Sequence, residues 1–264
     1  MSDRADELIK LLRTEGDELA SLVRGFTADD LARESGAAEW DVSQVLSHLG
    51  SGAEINLEGL NGAVNGTGTP SMDFIRGVWA RWDGRSRAER AENYPTANAA
   101  LVSGLESLDE AAKRELRIEL WFPAPPQDVA GFAGMRLREF AFHTWDVKAA
   151  FDPSATLSPA VVEPLIDLVH VMVGFVGKPE GLGGRQATVA VRLTEPERAF
   201  GLDIGEKVSI VDTPAEPDAT LTAPAEWWLR LLYGRHSPEH TPASVEFTGG
   251  TISLDDLRRV FPGF

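Results

Sequence analysis

Apolar residues recur at helical spacing through the first two thirds of the chain and alternate through the last third. From Asp6 to Phe26, Leu8, Ile9, Leu11, Leu12, Leu19, Leu22 and Val23 form one stripe between charged residues, which predicts an amphipathic helix. Residues 27–36 read as a turn with one short helical piece. A second long helix follows from Trp40 to Leu60, with Asp41 placed to cap it and Asn61-Gly62 and Asn65-Gly66 to stop it. Phe74, Ile75, Val78, Trp79 and Trp82 predict a third helix over 72–93, and Pro95 is expected to open a fourth that reaches Leu108. Ile118 to Phe122 reads as extended, because Pro123, Pro125 and Pro126 forbid a helix there. A helix over 131–151 and an amphipathic one over 159–176 complete the first part.

The period then changes. After Gly177-Lys178-Pro179 and Gly181 to Gly184, alternation over 187–193, 199–204, 208–211 and 219–222 predicts strands, with a further strand over 244–248. Helices are expected over 224–233, with Trp227 and Trp228 divided between the core and a domain interface, and over 253–260, with Ser253 as cap. The pattern is that of a helical domain, 1–178, followed by a small α+β domain, 185–264, built on an antiparallel sheet.

Composition narrows the functional classes. A length of 264 residues, 43% of them hydrophobic, is enough for a sizeable core. The net charge of -16 repels phosphate backbones and anionic lipid, so neither nucleic acid nor a membrane is expected as a partner. The absence of cysteine leaves no disulfide and no thiol nucleophile, so any sulfur chemistry needs an external thiol. No apolar run reaches the roughly 18 residues of a membrane span, and the N-terminus lacks a basic stretch followed by an apolar one; a cytoplasmic protein is expected. Twenty arginines against five lysines suit a GC-rich bacterial genome.

The candidate chemistry lies in Arg138 to Val147. Glu139 and His143 are four residues apart and share a helix face, giving two corners of a metal site. His48, at the border of the stripe Val42, Val45, Leu46 and Leu49, offers the third. Two imidazoles and one carboxylate leave a tetrahedral cation one open position. The plain alternative is a solvated pair, to which Arg136 and Asp146 would also belong, but Phe132, Val147 and Ala150 flank the face and argue that it points inward. His170 reads as a core or edge histidine. His236 and His240 have ligand-like spacing, but Pro238 between them places them in an exposed loop.

Trp40 and His48 eight residues apart, Glu139, His143 and Asp146 on one later helix, Ala223-Pro224-Ala225-Glu226 with Arg230 to Arg235, and the terminal Phe-Pro-Gly-Phe occur in that order. In these features the chain resembles the mycothiol-dependent maleylpyruvate isomerase family. The resemblance implies a DinB-like four-helix bundle followed by a domain like sterol carrier protein 2 (SCP2-like), with zinc held by His48, Glu139 and His143. It implies mycothiol as the thiol cofactor and a small-molecule substrate, in a monomer or homodimer. The family's mechanism would have a thiolate add to the cis double bond of an electron-poor acid, allow rotation, and leave to give the trans isomer; an S-transferase would stop at addition. The family also places an arginine of the C-terminal domain near the metal, for which Arg235 is the candidate and Arg230 and Arg192 the alternatives. A hydrolase using metal-bound water and a non-catalytic binding protein remain as readings from other classes.

Overall fold

The computed structural model describes residues 2–263; Met1 and Phe264, the last residue of the Phe-Pro-Gly-Phe ending, lie outside the described residues. The chain divides into two compact units, Met1–Phe151 and Asp152–Phe264.

Four long helices build the first unit: α1 (Ser2–Val23), α3 (Val42–Asn65), α5 (Arg87–Glu106) and α7 (Val129–Ala149). Short helices α2 (Ala28–Leu31), α4 (Met72–Asp83) and α6 (Glu110–Glu115) fill the connections. Around the bundle α1 packs on α7, α7 on α3, α3 on α5 and α5 back on α1. Each long helix is amphipathic only relative to this shared core, where Leu8, Leu12, Leu46, Leu49, Leu101, Leu105, Leu137 and Phe140 are at most 1% exposed.

The helix starts are written in side chains. Asp41 accepts from the Gln44 amide and Gln44 returns a bond to the Asp41 amide, a reciprocal cap that fixes the first turn of α3. Ser86 and Glu89 do the same for α5, so the break falls at Gly84–Ser86, earlier than the expected one before Pro95. Pro95 lies inside α5. It removes one N–H from the helix ladder, and burial of Tyr94, Asn98 and Leu101 outweighs that loss. Ile118 and Gln127 exchange a reciprocal pair of 2.8 Å backbone hydrogen bonds that pinch off the proline-rich loop 119–126.

The second unit contains α8 (Pro159–His170), α9 (Val173–Val176), α10 (Ala225–Leu232), α11 (Leu254–Val260) and strands β1 (Ala187–Thr194), β2 (Arg198–Ile204), β3 (Val208–Val211), β4 (Ala219–Pro224) and β5 (Glu246–Gly249). The segment 159–176 is thus two helices, α8 and α9, and it belongs to this unit because α8 packs on α10. The boundary accordingly falls at 151/152, upstream of the glycine-rich segment expected to mark it. Trp227 and Trp228 are both fully buried; Trp228 meets Phe200, Phe261 and His170 edge to face.

Strand order among the described residues is β3-β2-β1-β4-β5. The sheet is mixed, not antiparallel, because β4 runs parallel to β1. The cause is local. β3 ends opposite Gly201 after four residues, and the chain from Asp212 crosses back to start β4 opposite Val189. A side chain at position 201 would stand 2.6 Å from the Asp212 carbonyl oxygen and 2.9 Å from Pro214, so only glycine admits this crossing. Asp218 then ties its end to β1, accepting from the Thr188 amide at 2.8 Å.

Candidate metal centre

His48 projects from the second turn of α3, while Glu139 and His143 project one turn apart from α7. His48 Nε2 is 3.4 Å from Glu139 Oε2, and His143 Nε2 is 3.9 Å from the same oxygen. One ligand atom from each of the three lies within 4.8 Å of the others, the one such group among the described residues. Donors at about 2.0–2.2 Å from a four-coordinate cation stand roughly 3.4 Å apart, so the three side chains could close on a single divalent cation by drawing together.

The partners of the imidazoles also suit a metal site. His143 Nδ1 stands 2.8 Å from Oδ2 of Asp146, which is fully buried. A carboxylate only accepts, so Nδ1 carries the proton and the Nε2 lone pair is left for the cluster. Asp146 is held by the segment before α3: the Gly36 amide donates to its carbonyl at 2.9 Å, and a Cβ on Gly36 would meet Trp145 at 2.7 Å and Asp146 Oδ1 at 3.0 Å. The same segment carries Glu39 at a φ of +63° and delivers Trp40 to the two imidazoles, its ring centroid 5.1 Å from His48 and 5.8 Å from His143. Burial opposes ionisation of Glu139, but the hydrogen bond from His48 and the positive charges of His143 and Arg138 outweigh it and hold its carboxyl down at about 2.

His48 and Glu139 open onto a pocket of about 440 Å³ lined also by Ser51, Gly52, Asn56, Trp79, Trp121, Phe122, Arg136 and Arg138. Its walls are mainly apolar. The pocket aromatics were hidden in the sequence, because Trp121 and Phe122 sit in the pinched loop and periodicity gives them no face. Asp146 was visible as the third residue after His143, although spacing alone could not separate an orienting carboxylate from a solvated one.

The remaining candidates lie elsewhere. His170 Nε2 accepts from Trp228 Nε1 at 3.2 Å, an edge-of-core role. His236 is half-buried, not exposed, and donates from Nε2 to the Phe261 carbonyl; His240 Nδ1 meets the Pro153 carbonyl at 2.9 Å. Arg230 is buried and forked onto both oxygens of Glu226, so it is structural. Arg192 is exposed on β1, and half-buried Arg235 donates to the Tyr233 carbonyl at 3.0 Å.

A four-helix bundle with a two-histidine, one-carboxylate cluster, two of whose members line an apolar pocket, followed by a small α+β unit, defines the class: a helical-bundle protein with a candidate metal centre and an appended mixed sheet. Over residues 12–148, more than half of its length, the chain matches the family described as Mycothiol maleylpyruvate isomerase N-terminal domain, and it belongs to that family of enzymes. Two crystal structures share its fold over 92% of both chains with a TM-score of 0.65: the mycothiol-dependent maleylpyruvate isomerase, 13% identical, and a histidine-to-alanine mutant of the mycothiol-dependent maleylpyruvate isomerase, 12% identical. No curated protein matches the sequence. No helix among the described residues is long and apolar enough to cross a membrane.

Proposed function

We propose that this chain is a zinc- and mycothiol-dependent enzyme that isomerises a cis double bond in a small electron-poor acid or transfers the thiol to a small electrophile. The observation that carries the reading is the convergence of His48, Glu139 and His143, the first two lining the pocket, with Asp146 aligning His143. Bound there, a divalent cation would supply the charge that keeps an external thiol ionised near neutral pH, which the cysteine-free chain cannot supply itself.

The residues have distinct tasks. With a divalent cation bound, His48 and His143 would offer neutral nitrogens and Glu139 the single negative charge, so the centre would keep a net positive charge that favours an anionic ligand. Asp146 holds the proton on His143 Nδ1. Trp40 covers both imidazoles on one side and limits water there, while the apolar pocket walls exclude it on the other. The second unit is taken to be SCP2-like.

Metal content of wild type beside His143→Ala, with activity measured with and without mycothiol, tests the reading. The expected result is one equivalent of zinc in wild type, its loss in the variant, and turnover only with the thiol. Turnover without thiol would make the protein a hydrolase instead.

A further inference from the structure

The pocket contains a second charged group that the metal cluster does not use. Arg136 lies on α7 one turn before Glu139, is 3% exposed, and lines the same pocket. Its Nη2 donates to the Leu49 carbonyl at 2.6 Å and lies 3.4 Å from Asn98 Oδ1, both neutral acceptors. Among the described residues it makes no ion pair, and its buried Nε has no hydrogen-bond partner. Burial pulls the guanidinium down to about 10, with Glu139 working against that pull, so it remains a cation at neutral pH. The guanidinium lies over the Phe140 ring at 5.8 Å and feels the charge of Glu139, but its hydrogen bonds go only to neutral acceptors; a buried cation so placed favours an anion, and the guanidinium fork suits a carboxylate.

Access is built in. Gly52 on α3, one turn after His48, also lines the pocket, and a Cβ there would stand 3.1 Å from Arg136 Nη1. Glycine leaves that nitrogen uncovered where a larger residue would press on it. The pocket's other guanidinium, Arg138, is already turned towards Glu139 Oε1 at 3.5 Å, which leaves Arg136 to meet the ligand. The rest of the wall is aromatic. Trp79 meets Trp121 edge to face at 5.7 Å, Trp121 meets Phe122 at 5.3 Å, and Trp121 and Phe122 are each 38% exposed, an apolar surface suited to a flat ligand.

We propose that Arg136 is the carboxylate receptor of this pocket, and that the site selects acids with one carboxylate and a flat unsaturated or aromatic body that lies against Trp79, Trp121 and Phe122. This rests on the reading of the pocket as the substrate site of a metal- and thiol-dependent enzyme. It adds the substrate class and makes Arg136, with Gly52 as its window, a specificity-determining residue.

The test is calorimetric binding of trans-cinnamate and of its uncharged analogue trans-cinnamamide to the zinc-loaded full chain. Wild type is expected to bind the acid at least about tenfold more tightly than the amide, because the amide leaves the buried cation unanswered. Arg136→Lys should keep part of this preference. Arg136→Met should abolish it, and Gly52→Ala, whose Cβ would crowd Nη1, should reduce it severalfold without loss of zinc. Trp121→Ala should weaken both ligands alike. Equal affinity for acid and amide in wild type, failure of wild type to bind the acid, or an undiminished preference in Arg136→Met would overturn the proposal. Zinc content and thiol dependence, measured on the same preparations, separate the two ideas: a zinc-loaded, thiol-dependent enzyme indifferent to the carboxylate sinks only this inference, whereas loss of zinc binding or thiol dependence sinks the enzymatic reading.

Discussion

Asp146 is the residue on which the cluster's geometry turns, because it fixes the nitrogen that His143 presents. Its Oδ2 lies 2.8 Å from Nδ1 in a fully buried position, so the imidazole can neither flip nor exchange tautomer without losing this hydrogen bond. Asp146→Asn is expected to keep the fold and to weaken zinc binding about 10- to 100-fold, read by competition with a chromogenic chelator. Wild-type affinity in that variant would mean that the carboxylate is structural only. Glu139→Gln makes a contrasting case, since it removes the one negative ligand of the cluster; zinc should be lost outright, with little change in the melting temperature of the metal-free protein. The sequence showed these residues on one helix face. It did not show that the backbone from Ser35 to Trp40 closes over them, because that closure depends on the left-handed turn at Glu39 and the close approach at Gly36, neither of which has a periodic signature.

The elements that carry the site are positioned by their caps, and here the sequence was most legible. Asp41 accepts from the Gln44 amide, from Ser43 Oγ and from Arg87 Nε, so one carboxylate starts α3, stands next to Trp40 and ties α3 to α5. Asp41→Ala is expected to cost about 1–2 kcal/mol in chemical denaturation and to weaken zinc binding as the first turns of α3 loosen beneath His48. At the other end of the chain Asp256 closes the cap of α11. Its carboxyl is lowered to about 2, chiefly by the Ser253 amide hydrogen bond, which outweighs the opposing effect of burial, with further help from the Ser253 hydroxyl and Arg185. A depressed carboxyl stabilises the fold above its unfolded value near 4, and that contribution is lost as pH falls through about 2. The stability gap between wild type and Asp256→Asn should therefore be constant from pH 7 to about 5 and shrink between pH 4 and 2 in thermal melts; a gap independent of pH would show that the charge is not what holds the cap. Where caps and periodicity disagreed with composition, the caps prevailed: Ser86 and Glu89 start α5 ahead of Pro95, although proline is the stronger breaker on paper.

At the scale of the whole molecule the chain is two units, and the division follows packing and not composition. The glycine-rich stretch at 177–184 looked like a linker, yet α8, whose Val161, Val162 and Leu165 are buried, packs on α10, so the separation lies before it. Periodicity could identify α8 as a helix but could not say which core takes its stripe. Nor could it give the parallel β1–β4 pairing, which depends on β3 being short and on Gly201 admitting the crossing strand connection. All three candidate ligands belong to the first unit, and this sets the thermodynamics. A cation that binds only the folded bundle stabilises it by RT ln(1 + [L]/Kd), about 2.7 kcal/mol at a hundredfold excess over Kd. For a unit of this size that corresponds to a rise of roughly 5–10 °C in its melting temperature. Calorimetry of the full chain should then show zinc raising the transition that belongs to the bundle, with no shift in His48→Ala, while a transition of the second unit keeps its position throughout. If zinc raised both transitions equally in wild type, the two units would be thermodynamically coupled and the division would describe contacts without describing folding units.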